Sequence, residues 1–121
     1  MMDETEWEHT LFNLILRAGN ARCRAKDAAG HAEAGEWEQA RIALEDANAE
    51  QGMAHEINAN IVRMEASGQP IPFAVLLVHA MDLLLLAWSE IDYTEQYIKM
   101  CQRVQALEAE VMQWRNQASK N

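Results

Sequence analysis

Both prolines of the chain, Pro70 and Pro72, fall inside one eight-residue segment, residues 65–72 (EASGQPIP). Proline removes a backbone donor and clashes with the preceding helical turn. A chain that confines its prolines to one place is therefore built from long uninterrupted segments on either side of it. Glycine occurs only five times, while alanine, the best helix former, takes twenty of the 121 positions. These features together predict an all-α protein of a few long helices, and the length suits a single domain over residues 1–121. Alanine faces bury little area each, which favours helices that complete their core against other copies of the same chain.

The apolar spacing divides the chain into three. Trp7, Leu11, Leu14, Ala18, Ala21, Ala25, Ala28 and Ala32 alternate steps of four and three, one stripe of a helix over about residues 4–33. Asp3 or Thr5 is placed to cap its start, with acids in the first turn where they suit the helix dipole. Gly35 follows as the residue best able to take the left-handed position past a helix end. A second stripe, Trp37, Ala40, Leu44, Ala47, Ala54, Ile57, Ile61 and Met64, gives a helix over about 36–66, with Gln51, His55 and Asn58 on nearby faces. Gly68 ends it, and Pro72 is expected in the first turn of a third helix over about 72–115. The third stripe runs Leu76, His79, Leu83, Leu86, Glu90, Tyr93, Tyr97, Met100, Val104, Leu107, Val111 and Trp114. From Arg115 onward the chain is polar and is expected to fray. One short turn and one medium loop make an antiparallel up-down-up three-helix bundle.

Charge narrows the function. Ten Lys+Arg against nineteen Asp+Glu give a net charge of −9, which disfavours nucleic acid or an anionic membrane surface as partner. Residues 73–88 are apolar except for His79 and Asp82. The run is short of the ~20 residues a membrane span needs and carries a charge, so it is expected to be a helix buried on all sides within protein. Residues 1–9 carry four acids and no Lys or Arg, unlike a secretory leader. Cys23 and Cys101 fit no metal-ligand spacing and read as reduced thiols, buried and inert by default, in a cytoplasmic protein.

Phosphate-loop, dinucleotide, zinc-protease and nucleophile-elbow signatures are missing. Of the four histidines, His9 and His31 sit among acids and alanines and are expected to face solvent. His79 lies inside the apolar run with Asp82 one turn on. Its plainest reading is a core histidine bonded to a carbonyl. Asp82 among Val78, Leu83, Leu85 and Leu86 would be costly unless paired, protonated or metal-bound. Arg17, Arg22 and Arg24 are candidate partners, and the alternative is an ion or shared proton at an oligomer axis.

Four segments in register carry a family resemblance: Ala18-Gly19-Asn20-Ala21-Arg22, Gly35-Glu36-Trp37, Ala54-His55, and Leu77-Val78-His79-Ala80-Met81-Asp82. The chain resembles the lactose/cellobiose (chitobiose) enzyme IIA family of the bacterial phosphoenolpyruvate-dependent sugar phosphotransferase system. The resemblance implies a cytoplasmic homotrimer, nine helices in all, whose histidine takes phosphate from HPr and passes it to a cysteine of IIB. It assigns the phosphorylated position to His79. It places Asp82 from three subunits around a divalent metal such as Mg at the trimer axis. Beyond the resemblance, Gln51, His55 and Asn58 on the second helix and Arg22 on the first are candidates to neighbour the phosphate, from the same protomer or the next. Three positions depart from the family pattern: Met81, Leu83 and the pair Asn58-Ala59 all remove hydrogen-bonding groups. That departure leaves a second reading, a non-catalytic helical oligomer that keeps the bundle and has lost efficient transfer.

Overall fold

A computed structural model describes residues 3–120. They form three helices, α1 (Glu4–Glu33), α2 (Trp37–Ala66) and α3 (Val75–Lys120). Asp3 caps α1 through a capping box: its carboxylate accepts from the Glu6 N–H at 2.8 Å, and the Glu6 carboxylate accepts from the Asp3 N–H at 3.2 Å. Gly35 and Gly68 sit at φ +74° and +90°. In each case the residue after the glycine donates back five residues, Glu36 to His31 and Gln69 to Met64, so both helices end in a Schellman arrangement. α3 starts at Val75, not at 72. The Ala74 carbonyl takes the first bonds, from the N–H groups of Leu77 and Val78, and Pro72 lies outside the helix. At the far end α3 stays helical through Lys120, past the expected fraying point at Arg115.

α1 packs against both other helices, whereas α2 and α3 meet more sparingly. The buried face of α1 is the alternating stripe read from sequence, Trp7 to Ala32, without a change. The core it builds has two ends. Trp7, Leu11 and Leu14 pack with Ala54 and Ile61 of α2 and with Ala80 and Leu84 of α3. Ala18, Ala21 and Ala25 pack with Ala47, Ala87 and Ile91. The start of α1 therefore meets the end of α2 and the start of α3, which fixes the up-down-up course. The alanine end lets backbones approach closely; the other end is filled by larger side chains.

Two expectations for the helix faces change. On α2 the buried residues are Ala40, Ala43, Ala47, Gln51, Ala54 and Ile61, so Gln51 belongs to the core; Trp37, Leu44, Ile57 and Met64 are half-buried. On α3 the buried face is Ala80, Leu84, Ala87, Ile91 and Thr94, one residue round from the expected stripe. Residues 73–88 are not enclosed by their own chain. Val75 is 77% exposed, Leu85 60%, and Val78, Leu86 and Trp88 about half. One chain covers a single side of this segment, so the expectation of a helix buried on all sides is not met within the chain itself.

Candidate functional site

His79 stands in the second turn of α3, four residues past its first residue, Val75. Its neighbour Ala80 is buried in the core, which turns the His79 side chain outward. The imidazole is exposed and makes no hydrogen bond or ion pair among the described residues. The reading of a core histidine tied to a carbonyl is thereby overturned.

Asp82 is exposed as well, and it has no partner among the described residues. The three arginines considered for it are engaged elsewhere. Arg17 reaches Glu50 of α2 at 3.2 Å, Arg22 reaches Glu90 of α3 at 2.9 Å, and Arg24 pairs along its own helix with Asp27 at 3.1 Å. Asp82 thus lies on the outer face of α3 as a lone carboxylate beside the exposed Val78, Leu85 and Leu86.

The residues expected near the phosphate are spread over the bundle. The Gln51 amide donates to the Leu84 carbonyl at 3.5 Å, while its own carbonyl oxygen is buried without a partner among the described residues. His55 is exposed and stacks edge-on against Trp88, ring centres 5.7 Å apart. Trp88 is nine residues on from His79; at about 100° per residue the two lie on opposite sides of α3. Asn58 is half-buried, with a buried side-chain oxygen that lacks a partner. Arg22 is on the same flank of α3 as His79 but at the level of Glu90, about 16 Å further along the axis. Its hydrogen bond to Glu90 holds the guanidinium more firmly in its charged form. One chain therefore presents an exposed imidazole and, among the described residues, an unpaired carboxylate one turn apart, and none of the four expected helpers bonds to either.

At the other end of the bundle are contacts that the periodicity did not signal. The Tyr97 hydroxyl donates to the Glu33 carboxylate. The Trp37 indole N–H donates to the Gln105 side-chain carbonyl at 2.9 Å. Both close a groove of about 380 Å³ between the α1–α2 turn and α3. Nothing in a 3.6-residue pattern pairs positions 64 or 68 residues apart. His31 Nδ1 pairs with the Glu36 carboxylate at 3.1 Å, and His9 is exposed. The cysteines are free; Cys23 is exposed and Cys101 half-buried, so neither is the enclosed thiol expected.

Residues 9–102 match the family described as PTS system, Lactose/Cellobiose specific IIA subunit. The lichenan-specific phosphotransferase enzyme IIA component of Bacillus subtilis is 33% identical over 99 residues, 82% of this chain and 90% of that protein. The lactose-specific EIIA component of Lacticaseibacillus casei is 33% identical over 97 residues, 80% and 87% of the two chains. Among solved structures, the cellobiose-specific enzyme IIA from Bacillus anthracis superposes with a TM-score of 0.81 at 31% identity, covering 88% of this chain and 95% of that one. Among the described residues no helix is long and apolar enough to cross a membrane.

Proposed function

Because the chain belongs to the lactose/cellobiose-specific IIA family of the sugar phosphotransferase system, we propose that it is a cytoplasmic phosphocarrier acting through His79. The observation that carries this is an exposed, unpartnered imidazole inside the matched segment. A neutral imidazole nitrogen is nucleophilic at physiological pH and, once phosphorylated, is a good leaving group. The N–P bond to the HPr histidine breaks as an N–P bond to His79 forms. That bond breaks in turn as a thiolate sulfur of IIB takes the phosphorus. The work left to the protein is positioning and charge stabilisation. The positive end of the α3 dipole, just over a turn away, contributes only weakly at that range.

The homotrimer belongs to the same proposal. The exposed Val75, Val78, Leu85 and Leu86 face of α3 is apolar surface of the kind that copies bury against one another. Around a three-fold axis the two flanks of α3 turn toward neighbouring copies. The His79 flank of one protomer then faces the Trp88–His55 flank of the next, so His55 and Asn58 would serve from a neighbour, whereas Gln51 is held in its own core and Arg22 by its own Glu90. Asp82, near the middle of the outward face, would meet its two equivalents. Its carboxylate oxygens suit a divalent cation such as Mg, which would neutralise them. Among the described residues no three His, Cys, Asp or Glu side chains of one chain form a metal group, so such a site requires all three subunits.

A second reading is favoured by Met81, Leu83 and Ala59, which bring no hydrogen-bonding group at those positions, and by the pairing of Arg17 and Arg22 with glutamates. It is a non-catalytic oligomer that binds or regulates a partner. Incubation with enzyme I, HPr and phosphoenolpyruvate separates the two. The carrier gives an acid-labile, alkali-stable adduct in wild type and none in His79→Ala. A folded wild type that stays unlabelled establishes the second reading, and equal labelling of His79→Ala removes His79 from the site.

A further inference from the structure

The family match ends at residue 102, yet α3 continues to Lys120. From Gln102 to Lys120 every residue is exposed. Among the described residues Gln105, held by Trp37, makes the last side-chain hydrogen bond to another helix, and Glu108 still lines the groove against the α1–α2 turn, so the final twelve residues project about 18 Å beyond the bundle. A bare helix of that length is marginal in water, and this one is not polar. Val104, Leu107, Val111 and Trp114 are 45%, 58%, 46% and 71% exposed. They fall at a, d, a and d of two heptads, in phase with Tyr97 and Met100 before them.

The flanking charges settle what covers that seam. In the same register Arg103 and Glu110 occupy g, and Glu108 and Arg115 occupy e. In a parallel, in-register coil each g residue meets the e residue five positions on in the next strand. Here those pairs are Arg103 with Glu108 and Glu110 with Arg115, opposite in sign both times. A chain with a net charge of −9 has no general reason to place two arginines at those two positions. We propose that residues 103–120 pair with the same residues of other copies as a parallel, in-register coiled coil that extends α3 past the family domain. Two heptads are too short to choose their own strand number, so they take it from the assembly beneath, three in the trimeric reading on which this inference rests for its stoichiometry.

Single cysteines in the full-length chain test the pairing, with Cys23 and Cys101 both replaced by serine. Leu107→Cys and Trp114→Cys should each give a disulfide-linked dimer under mild oxidation. Ala109→Cys, at an outward f position, should give none. Like-to-like linkage at both d positions demands parallel register, because an antiparallel pair brings equivalent residues together at one level only. Linkage at one d position alone, or at neither, overturns the proposal; so does equal linkage at Ala109→Cys. The outcome is independent of phosphotransfer. Failed cross-linking in a protein that still labels at His79 defeats only the coiled coil, and cross-linking without labelling defeats only the carrier. If Leu107→Cys is poorly folded, Val104→Cys and Val111→Cys, both at a, make the same measurement.

Discussion

Tyr97 is the side chain whose environment has the most direct consequence for pH. Its hydroxyl donates to the Glu33 carboxylate, and that hydrogen bond, with burial and then the carboxylate's charge adding to it, pushes the phenol up to about 12 from an ordinary 10.0. The folded chain therefore holds this proton more tightly than the unfolded one. The stabilisation is complete below pH 10 and is lost as pH rises from there through 12. Comparing alkaline unfolding of wild type with Tyr97→Phe isolates it: the wild type should lose its advantage across that window, while the variant shows no such slope. A titration in which Tyr97 ionises at the ordinary 10.0 would contradict the assignment. At the same scale the candidate pair was only half legible. His79 and Asp82 were identifiable as two polar residues in an apolar run. Whether they faced core or solvent was not, because a run apolar on every side carries no moment to say which side is in. Ala80, Leu84 and Ala87 took the core, and that one-residue rotation put His79 outside.

Among the elements, α1 and its turns followed local rules closely. Its stripe, its Asp3 cap and its terminal glycine all depend on residues within a few positions of one another. Gly35 and Gly68 show where tertiary structure adds to that. Both need a left-handed backbone, which costs an L residue about 1–2 kcal/mol. A Cβ on Gly68 would meet open space, whereas one on Gly35 would lie 3.1 Å from the Gln105 side chain and disturb its bond from Trp37. Gly68→Ala should thus lose about 1 kcal/mol, and Gly35→Ala more by roughly the further ~1 kcal/mol of a hydrogen bond. Equal losses in urea unfolding would show that the Trp37–Gln105 contact contributes nothing. α2 is less faithful to its pattern because Gln51 replaces an apolar residue on the buried face and is held by the Leu84 carbonyl of α3. Only the neighbouring helix could reveal that.

For the whole molecule, the prediction concerns assembly. Light scattering should give three times the 13.7 kDa chain mass; a strict monomer at micromolar concentration would sink the trimer, the shared site and the coil together. If the three Asp82 carboxylates hold a divalent ion, a chelator should lower the melting temperature of wild type and leave Asp82→Leu unchanged. Acid should act in the same direction as the chelator, because carboxylates must be deprotonated to bind metal. An equal response of both proteins to chelator would place any metal elsewhere. A trimer of Asp82→Leu as stable as wild type is compatible with the site, since an apolar replacement of buried charge often assembles well. The amino-acid sequence alone determined the helix count, the two turns and the core face of α1, because propensity, capping and periodicity act over a few residues. The tertiary structure decided which side of α3 is core, that Arg17 and Arg22 are bound to Glu50 and Glu90, and that His55 lies across the helix from His79. Those outcomes turn on contacts between residues tens of positions apart, where a rotation of one helix by a single residue exchanges an inside for an outside.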